Sequence, residues 1–237
     1  MRTDLVSAWM IHGWLQQNAP DITWPLTVDD QVKGVVGHFT GLMPDAPLAV
    51  TGQHLLARTV INAWNLTNVA LLGGGTPSPL SPRPEQLVYY TDGNPEVVAE
   101  AVSAGYNAVQ VNVTSADDMK KVAGATTAIA TGLFHFLPDA AAIMVFNNLS
   151  GAGLQMVVFN HGNLGGGEGG ASVREQYSKL GVNLFPRSRD QVEALIPSDW
   201  RVERFHPQAE VLEDEPLIAR HLAGAENVTD VYLVVRV

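Results

Sequence analysis

The sequence predicts an α/β protein built on a seven-stranded, doubly wound sheet with a helical segment in front of it. From about residue 66 onward, short apolar runs alternate with amphipathic helical patterns, and this alternation is typical of strands joined by crossover helices. The first apolar run ends in three glycines, which indicates a strand followed by a tight turn that a ligand can approach. With 237 residues, the chain is long enough to bury the core of one such domain.

Seven apolar runs are short enough to be strands. They cover residues 68–74, 86–92, 107–113, 126–133, 154–160, 200–207 and 230–237. Right-handed crossovers between the earlier runs predict a mostly parallel sheet. The last run follows a long connection over residues 208–229, and it is therefore the strand that we expect to pair in the antiparallel direction.

Helices are predicted between these strands. Their ranges are residues 95–105, 115–124, 139–149 and 188–196. The first has Pro95 in its opening turn and Gly105 at its end, while Ser115 and Ser188 stand at the N-cap positions of two others. The start and stop signals therefore agree with the apolar periodicity.

Residues 1–65 are predicted to form a helical N-terminal cap, and residues 66–237 the sheet domain. Residues 5–17 and 52–64 both carry apolar side chains at helical spacing, with a loop that contains proline and aspartate between them. Four ring-bearing side chains of the cap are candidates to line a ligand pocket, with a place in the apolar core as the alternative. These are Trp9, His12, Trp14 and Trp24.

Composition narrows the range of partners. The formal net charge is −10, and the longest basic cluster is Arg-Ser-Arg at 187–189, which argues against a surface for nucleic acid. No stretch approaches the roughly 18 apolar residues of a membrane span, and no secretory signal is evident. Cysteine is absent and the histidines are dispersed, so no metal motif is present. We expect a cytoplasmic protein with a small-molecule ligand, and nothing in the sequence indicates an oligomeric state.

Ligand-binding residues are expected where the strands end. Doubly wound sheets bind ligands beyond the carboxyl ends of their strands, near the point where strand order reverses. The ends of the first four strands carry Gly73–Gly75, Asp92, Asn112 and Thr131–Gly132. Glycines let the main chain approach a ligand closely, and an acid that closes the second strand suits the hydroxyls of a ribose. A plain loop at the glycines and a simple turn at Asp92 are the alternatives.

In these segments the chain resembles the class I S-adenosylmethionine-dependent methyltransferases, over about residues 69–237. The letters VALLGGGTP at 69–77 stand where that family has its glycine-rich first motif, and VYYTDGNPEVVAEA at 88–101 is similar to its second-strand motif, whose acid binds the ribose. VQVNVTSADD at 109–118 resembles the family's third-strand segment. TAIATGLFHFLPD at 127–139 is similar to the stretch that follows its fourth strand, and LSGAGLQMVVFN at 149–160 is similar to the turn into its fifth strand. The nicotinamide dehydrogenases fit less well, because GGGTPSP does not match their G-x-G-x-x-G fingerprint.

The resemblance implies the Rossmann-like class I methyltransferase fold, S-adenosyl-L-methionine as cofactor and methyl transfer to a small molecule. The cofactor-binding residues that it implies are Gly73, Gly74, Gly75, Tyr90, Asp92, Asn94, Asn112, Val113, Thr131 and Gly132. Asn112 departs from the family, in which an aspartate is common at that position.

Three residues are candidates for the catalytic step, namely His135, His161 and Tyr177. The two histidines come just after the carboxyl ends of predicted strands, where a base would belong. A packed or capping role is the alternative for His135, and a loop position without a role is the alternative for His161. Tyr90 and Tyr177 are also candidates to hydrogen-bond the amino-acid part of the cofactor, with a place in the core as the alternative for Tyr90.

The prolines that follow the glycines are the second departure from the family. The stretch TPSPLSPRPEQ at 76–86 cannot easily form a helix, because proline lacks the main-chain N–H and pushes its predecessor out of the helical region. A similar glycine-then-proline turn occurs in nicotianamine synthase and its relatives, which use the aminocarboxypropyl arm of S-adenosylmethionine. Chemistry on this arm is therefore the alternative function. The arm would be transferred to an acceptor or would close to a four-membered ring, and methylthioadenosine would be released in either case.

Two further hypotheses concern a loop and the loss of activity. The glycine-rich stretch at residues 162–171 is a candidate lid over the substrate, with a plain surface connection as the alternative. A third functional hypothesis is a binding protein that kept the fold and lost the cofactor, since the first motif is altered and Asn112 replaces an acid.

Overall fold

The computed structural model describes residues 47–78, 80–162, 178, 183–207, 210–211 and 229–237. The described helices are α1 (Pro47–Ala63), α2 (Pro95–Ser103), α3 (Ala116–Met119), α4 (Asp139–Gly151) and α5 (Arg189–Glu193). The strands are β1 (Val69–Leu71), β2 (Leu87–Asp92), β3 (Ala108–Gln110), β4 (Thr127–Ala130), β5 (Met156–His161), β6 (Trp200–Pro207) and β7 (Asp230–Arg236). Outside the described residues lie Trp9, His12, Trp14, Trp24, Tyr177 and the candidate lid from residue 163 onward. None of the described helices is both long and apolar enough to cross a membrane.

The strands form a single sheet in the order β3-β2-β1-β4-β5-β7-β6. Strand β1 pairs in parallel with β2 on one side and with β4 on the other, so strand order reverses between β1 and β4. Strand β7 pairs in the antiparallel direction with both β5 and β6. This topology confirms the predicted seven-stranded, doubly wound α/β sheet, including its antiparallel last strand.

Local signals account for where the helices begin. The side chain of Asn94 accepts a hydrogen bond from a main-chain N–H in the first turn of α2. Ser115 and Ser188 cap α3 and α5 in the same way, as their positions in the sequence predict. The predicted helix over residues 115–124 is shorter than expected, because the chain tightens into a 3-10 turn over Lys120–Val122 directly after α3.

Strands β1, β3 and β4 each end three residues earlier than the apolar runs predict, and β3 ends at Gln110 instead of residue 113. Strand β1 ends at Leu71 instead of residue 74, and β4 ends at Ala130 instead of residue 133. For β1 and β4 the reason is backbone geometry, because Gly73 and Gly132 have φ values of +62° and +80°, outside the extended region. Strand β5 runs one residue further than predicted, so His161 is the last strand residue and not a loop residue.

Helix α1 packs on one face of the sheet and shares its core. Leu55, Leu56 and Val60 are fully buried in one cluster with strand residues that include Val69 and Ile129. Helix α4 contributes to a second apolar cluster, which contains the remaining large core side chains of the sheet. The division of the chain at residue 65 stays a prediction, and the helix that precedes this boundary is an integral part of the sheet core.

No α-helix joins β1 to β2 in the described residues. The one regular piece described in this connection is the 3-10 turn Pro84–Gln86. Leu80 is fully buried in the same cluster as α1, and the hydroxyl of Tyr106 donates to the carbonyl oxygen of Pro82 at 2.7 Å. The proline-containing connection is therefore anchored to the core without a helix.

We expect Val60→Ala to lower the free energy of unfolding of the whole domain by about 1.5–3 kcal/mol, since it removes two buried carbons from the core. Val102→Ala on α2 is the matched control, because Val102 is 55% exposed and its truncation is expected to change stability by less than about 0.5 kcal/mol. Urea denaturation followed by circular dichroism measures both. Equal small effects of the two variants would mean that α1 is a detachable cap.

Candidate active site

The predicted ligand-binding segments meet at one edge of the sheet. Strands β3, β2, β1 and β4 are neighbours and run in parallel, so their carboxyl ends lie side by side. The glycine loop at Gly73–Gly75 follows β1, Asp92 closes β2, Asn112 follows β3 and Thr131–Gly132 follows β4. The switch in strand order between β1 and β4 lies within this edge.

The carboxylate of Asp92 is fixed between the glycine loop and the start of α2. Its Oδ2 accepts the main-chain N–H of Gly75 at 2.9 Å, and its Oδ1 accepts the N–H of Asn94 at 2.9 Å. Asp92 is half-buried. Both carboxylate oxygens are therefore oriented by main-chain donors at this edge of the sheet.

Tyr90 supports the glycine loop from the core. Its side chain is fully buried, and its hydroxyl lies 2.8 Å from the carbonyl oxygens of both Gly74 and Gly75. Burial raises the pKa of Tyr90 above its usual value, so the phenol remains a neutral donor. A Cβ at Gly74 would come within 2.4 Å of the tyrosine ring, which explains the need for glycine at this position.

His54 on α1 reaches the same loop and was not found by sequence reasoning. Its Nδ1 lies 3.1 Å from the hydroxyl oxygen of Ser78, and its Nε2 contacts the carbonyl oxygen of Gly74. The side chain is buried, and this burial lowers the pKa of His54 to about 4. In the sequence, it is one polar residue within an apolar helical pattern, so no local signal distinguishes it. The nearby hydroxyl of Thr76 is buried without a hydrogen-bond partner in the described part of the chain.

Asn112, Asn94 and Val113, which the sequence predicted to bind a cofactor, have local partners. The side-chain oxygen of exposed Asn112 accepts from the N–H and the hydroxyl of Thr114, at 3.1 and 2.8 Å. Asn94 caps α2 with its side chain. Val113 is buried, and its carbonyl oxygen accepts from the side chain of Asn148 at 3.0 Å. Asn112 therefore offers a ligand its amide N–H donors, since its side-chain oxygen is used within its own loop.

The turn after β4 is tied to both β5 and α1. The N–H of Gly132 donates to Oδ1 of Asn160 at 2.7 Å, and the side-chain amide of Asn160 donates to Oε1 of Gln53 at 2.8 Å. A Cβ at Gly132 would lie 3.0 Å from the side chain of Gln53. Thr131, which precedes this glycine, is buried. Gln53 and Asn160 were not found by sequence reasoning either, because the contact depends on chain segments 107 residues apart.

His135 and His161 come together at the ends of β4 and β5. Their ring centroids are 4.4 Å apart, and both side chains are buried. Burial lowers the pKa of His135 to about 4 and that of His161 to about 2, where the neighbouring His135 and Arg187 add to the lowering. Both histidines are therefore neutral at pH 7. The described residues contain no group of three His, Asp or Glu side chains that could hold a metal ion.

Arg187 locks the turn that carries His135. It is buried, and its guanidinium donates to the side chain of Asp139 at 2.9 Å and to the carbonyl oxygens of Phe134 and Leu137 at 3.1 and 2.5 Å. The N–H of Phe185 donates to the carbonyl oxygen of His135 at 2.8 Å. The sequence indicated only a short basic cluster here, whereas the fold places this arginine in the wall behind the histidine pair.

The chain is similar to several solved structures, although no family model and no curated protein matches it. A DUF574 family protein from Streptomyces avermitilis superposes with a TM-score of 0.66 over 100% of both chains, at 11% identity. Magnesium protoporphyrin IX methyltransferase from Synechocystis, with bound S-adenosylhomocysteine, gives 0.51 over 99% of this chain and 97% of its own, at 12% identity.

A third solved structure is an S-adenosylmethionine-dependent methyltransferase from Mesorhizobium loti. Its TM-score is 0.50, and the match covers 77% of this chain and 100% of that one, at 14% identity. At identities of this size the similarities establish the fold, which is the class I methyltransferase fold that the motifs predicted. A specific likeness to nicotianamine synthase is not among these similarities.

We expect Gly74→Ala to lower the free energy of unfolding by about 1–3 kcal/mol, because the new methyl group overlaps the ring of Tyr90. Gly151→Ala at the end of α4 is the control, since its Cβ would meet nothing within 4 Å. Chemical denaturation compares the two variants. A Gly74→Ala protein as stable as the Gly151→Ala protein would mean that the loop does not rest on Tyr90.

Acid is expected to destabilise the fold through three buried histidines, His54, His135 and His161. Their pKa values in the folded state, about 4, 4 and 2, lie below the ordinary value of 6.5, so the unfolded chain takes up protons first. The stability that they contribute is present above pH 6.5 and is lost as the pH falls toward 4. Between pH 7 and pH 5 the loss is about 1–2 kcal/mol for each histidine.

Urea denaturation at several pH values measures this loss. His135→Asn keeps a neutral polar side chain and removes one titrating group, so its stability should fall less steeply between pH 7 and pH 5 than that of the unmodified protein. Parallel pH dependences for the two proteins would show that His135 does not titrate as its burial implies.

Proposed function

We propose that this protein is an S-adenosylmethionine-dependent methyltransferase that acts on a small molecule. The observation that carries the proposal is the Asp92 carboxylate, held beside the glycine loop where strand order reverses. The Synechocystis methyltransferase, which has the same fold, contains S-adenosylhomocysteine, and this supports the same cofactor class here. A cytoplasmic location and a role in small-molecule biosynthesis belong to the same proposal.

The residues at the carboxyl edge fit the parts of this cofactor. Asp92 would accept hydrogen bonds from the two ribose hydroxyls, because both of its oxygens are already oriented by main-chain N–H groups. The buried hydroxyl of Thr76, which has no partner in the described residues, lies in the loop next to them and would be satisfied by a polar group of the ligand. Asn112 would donate to a ring nitrogen of adenine, since only its amide N–H groups remain for a ligand.

The acceptor would bind beside the end of β4, where Gly132 and the histidine pair lie. When bound, S-adenosylmethionine supplies an electrophilic methyl group on its sulfonium, and the protein has to hold the acceptor in line with it. Orientation of this kind contributes about 7–11 kcal/mol, so a strong base is not required. His135 and His161 are neutral at pH 7 but weak bases, and we therefore assign them to orienting the acceptor, together with Tyr177 as the third catalytic candidate.

Use of the aminocarboxypropyl arm of the cofactor is the second candidate function. The observation that favours it is the anchored, helix-free connection after the glycine loop, which would bring extended main chain close to the amino-acid end of the ligand. In that reaction methylthioadenosine leaves, whereas methyl transfer leaves S-adenosylhomocysteine. The two products distinguish the two reactions.

Incubation of the purified protein with S-adenosylmethionine alone, followed by mass spectrometry, tests both candidates. We expect intact S-adenosylmethionine, and we expect S-adenosylhomocysteine to bind in calorimetry. Methylthioadenosine formed without an acceptor would establish chemistry on the aminocarboxypropyl arm. Failure to bind any adenosyl ligand would favour the third hypothesis, a binding protein that lost the cofactor.

Asp92→Ala is expected to weaken binding of S-adenosylhomocysteine by about 10- to 100-fold, because hydrogen bonds to a charged acceptor are lost. Asp199→Ala is the control, since Asp199 directly precedes β6 at the opposite edge of the sheet and accepts a hydrogen bond from Ser150 at 3.0 Å. Isothermal titration calorimetry measures both affinities. Wild-type affinity in Asp92→Ala would exclude Asp92 from the cofactor site.

A further inference from the structure

His54 makes a hydrogen-bonded contact to the connection after β1 with each of its ring nitrogens, and Nε2 also lies 3.5 Å from the hydroxyl oxygen of Tyr90. Nε2 faces the carbonyl oxygen of Gly74, which can only accept, so this nitrogen carries the proton. Nδ1 is then the acceptor, and the hydroxyl of Ser78 donates to it across 3.1 Å. The same hydroxyl oxygen accepts the N–H of Leu80 at 3.2 Å. One proton arrangement therefore satisfies the whole chain of contacts.

These contacts take the place of a helix. In a doubly wound fold, the helix after the first strand normally fixes the main chain of the glycine turn, but the prolines prevent such a helix in this chain. Here the two donors come from elsewhere. His54 from α1 and Tyr90 from β2 hold the carbonyl oxygens of Gly74 and Gly75 toward the core.

The carbonyl of Gly74 and the N–H of Gly75 belong to the same peptide group. In a planar trans peptide these two groups point to opposite sides of the chain. When His54 and Tyr90 hold the carbonyl oxygen on the core side, the N–H of Gly75 must face outward. There it donates to Oδ2 of Asp92 at 2.9 Å. His54 is thus linked to the Asp92 carboxylate through a single peptide plane.

We infer that His54 is a positioning residue for the cofactor, which orients the Gly74–Gly75 peptide and through it the carboxylate that receives the ribose. The inference rests on the proposed function for its ligand, and on the contacts of His54 for its mechanism. His54 itself does not touch the ribose. Its ring is neutral at pH 7 and buried behind the loop.

Calorimetry with S-adenosylhomocysteine on the full chain tests the inference. We expect His54→Ala to bind about tenfold more weakly than the unmodified protein, because one donor to the loop is lost. His54→Gln restores an N–H donor near the position of Nε2 and should bind within about threefold of wild type. Val60→Ala is the matched control, since it opens a cavity beside the same helix but removes no hydrogen bond to the loop.

Hydrogen–deuterium exchange of peptides that cover residues 72–82 provides a readout that does not depend on the ligand. Without a ligand, these amides should exchange faster in His54→Ala than in wild type or in Val60→Ala. If His54→Ala does not fold, Ser78→Ala replaces it. That variant removes the donor to Nδ1 and should show the same two changes at smaller size.

The outcomes separate this inference from the proposed function. Equal affinities of wild type and His54→Ala, or equal losses in His54→Ala and Val60→Ala, overturn the positioning role while the cofactor assignment stands. Absence of binding by the wild-type protein overturns the cofactor assignment and with it the role of His54 toward the cofactor. In that case, unchanged exchange over residues 72–82 in His54→Ala would also overturn the loop contact itself.

Discussion

The orientation of the peptide between Gly74 and Gly75 is the constraint on which the candidate site depends. Its carbonyl oxygen is held by His54 and Tyr90, and its N–H holds Asp92. Because a planar peptide cannot satisfy these partners in any other orientation, the buried face of the loop determines the exposed one. The same close packing requires glycine at position 74, where a Cβ would overlap the ring of Tyr90. The core and the ligand edge are thus connected through one main-chain group.

Helix α1 stabilises the connection after β1, a role that a helix in that connection would otherwise have. It fills the core on one face of the sheet with Leu55, Leu56 and Val60, and the buried Leu80 of the proline-containing connection joins the same cluster. Its two adjacent polar residues, Gln53 and His54, reach different loops. Gln53 contacts the turn after β4 through Asn160, and His54 contacts the glycine loop. One turn of a single helix therefore links the glycine loop after β1 to the turn after β4.

The proposed acceptor side differs from the glycine loop, because two neutral histidine rings and one buried guanidinium dominate it. Arg187 uses its donors on Asp139 and on main-chain carbonyls, and this fixes the turn that carries His135. Burial, together with the positive charge of Arg187, keeps His135 and His161 unprotonated at pH 7. Such a site suits alignment of an acceptor better than removal of a proton, which is consistent with transfer of an already activated methyl group.

The sequence by itself determined the fold class and indicated the candidate site positions. Short apolar runs predicted the strands, because the apolar pattern of a strand is a local property of the sequence. A glycine run and an acid at strand ends indicated Gly74 and Asp92 as candidate ligand-binding positions. Prolines excluded the helix after β1 for an equally local reason. Only the tertiary structure decided which residues that are distant in sequence contact one another. His54, Gln53 and Arg187 look like ordinary residues of a helix or a connection, and their contacts span 20 to 107 residues of chain. No local pattern encodes such contacts, because they arise from how α1 and the segment before α5 pack against the sheet.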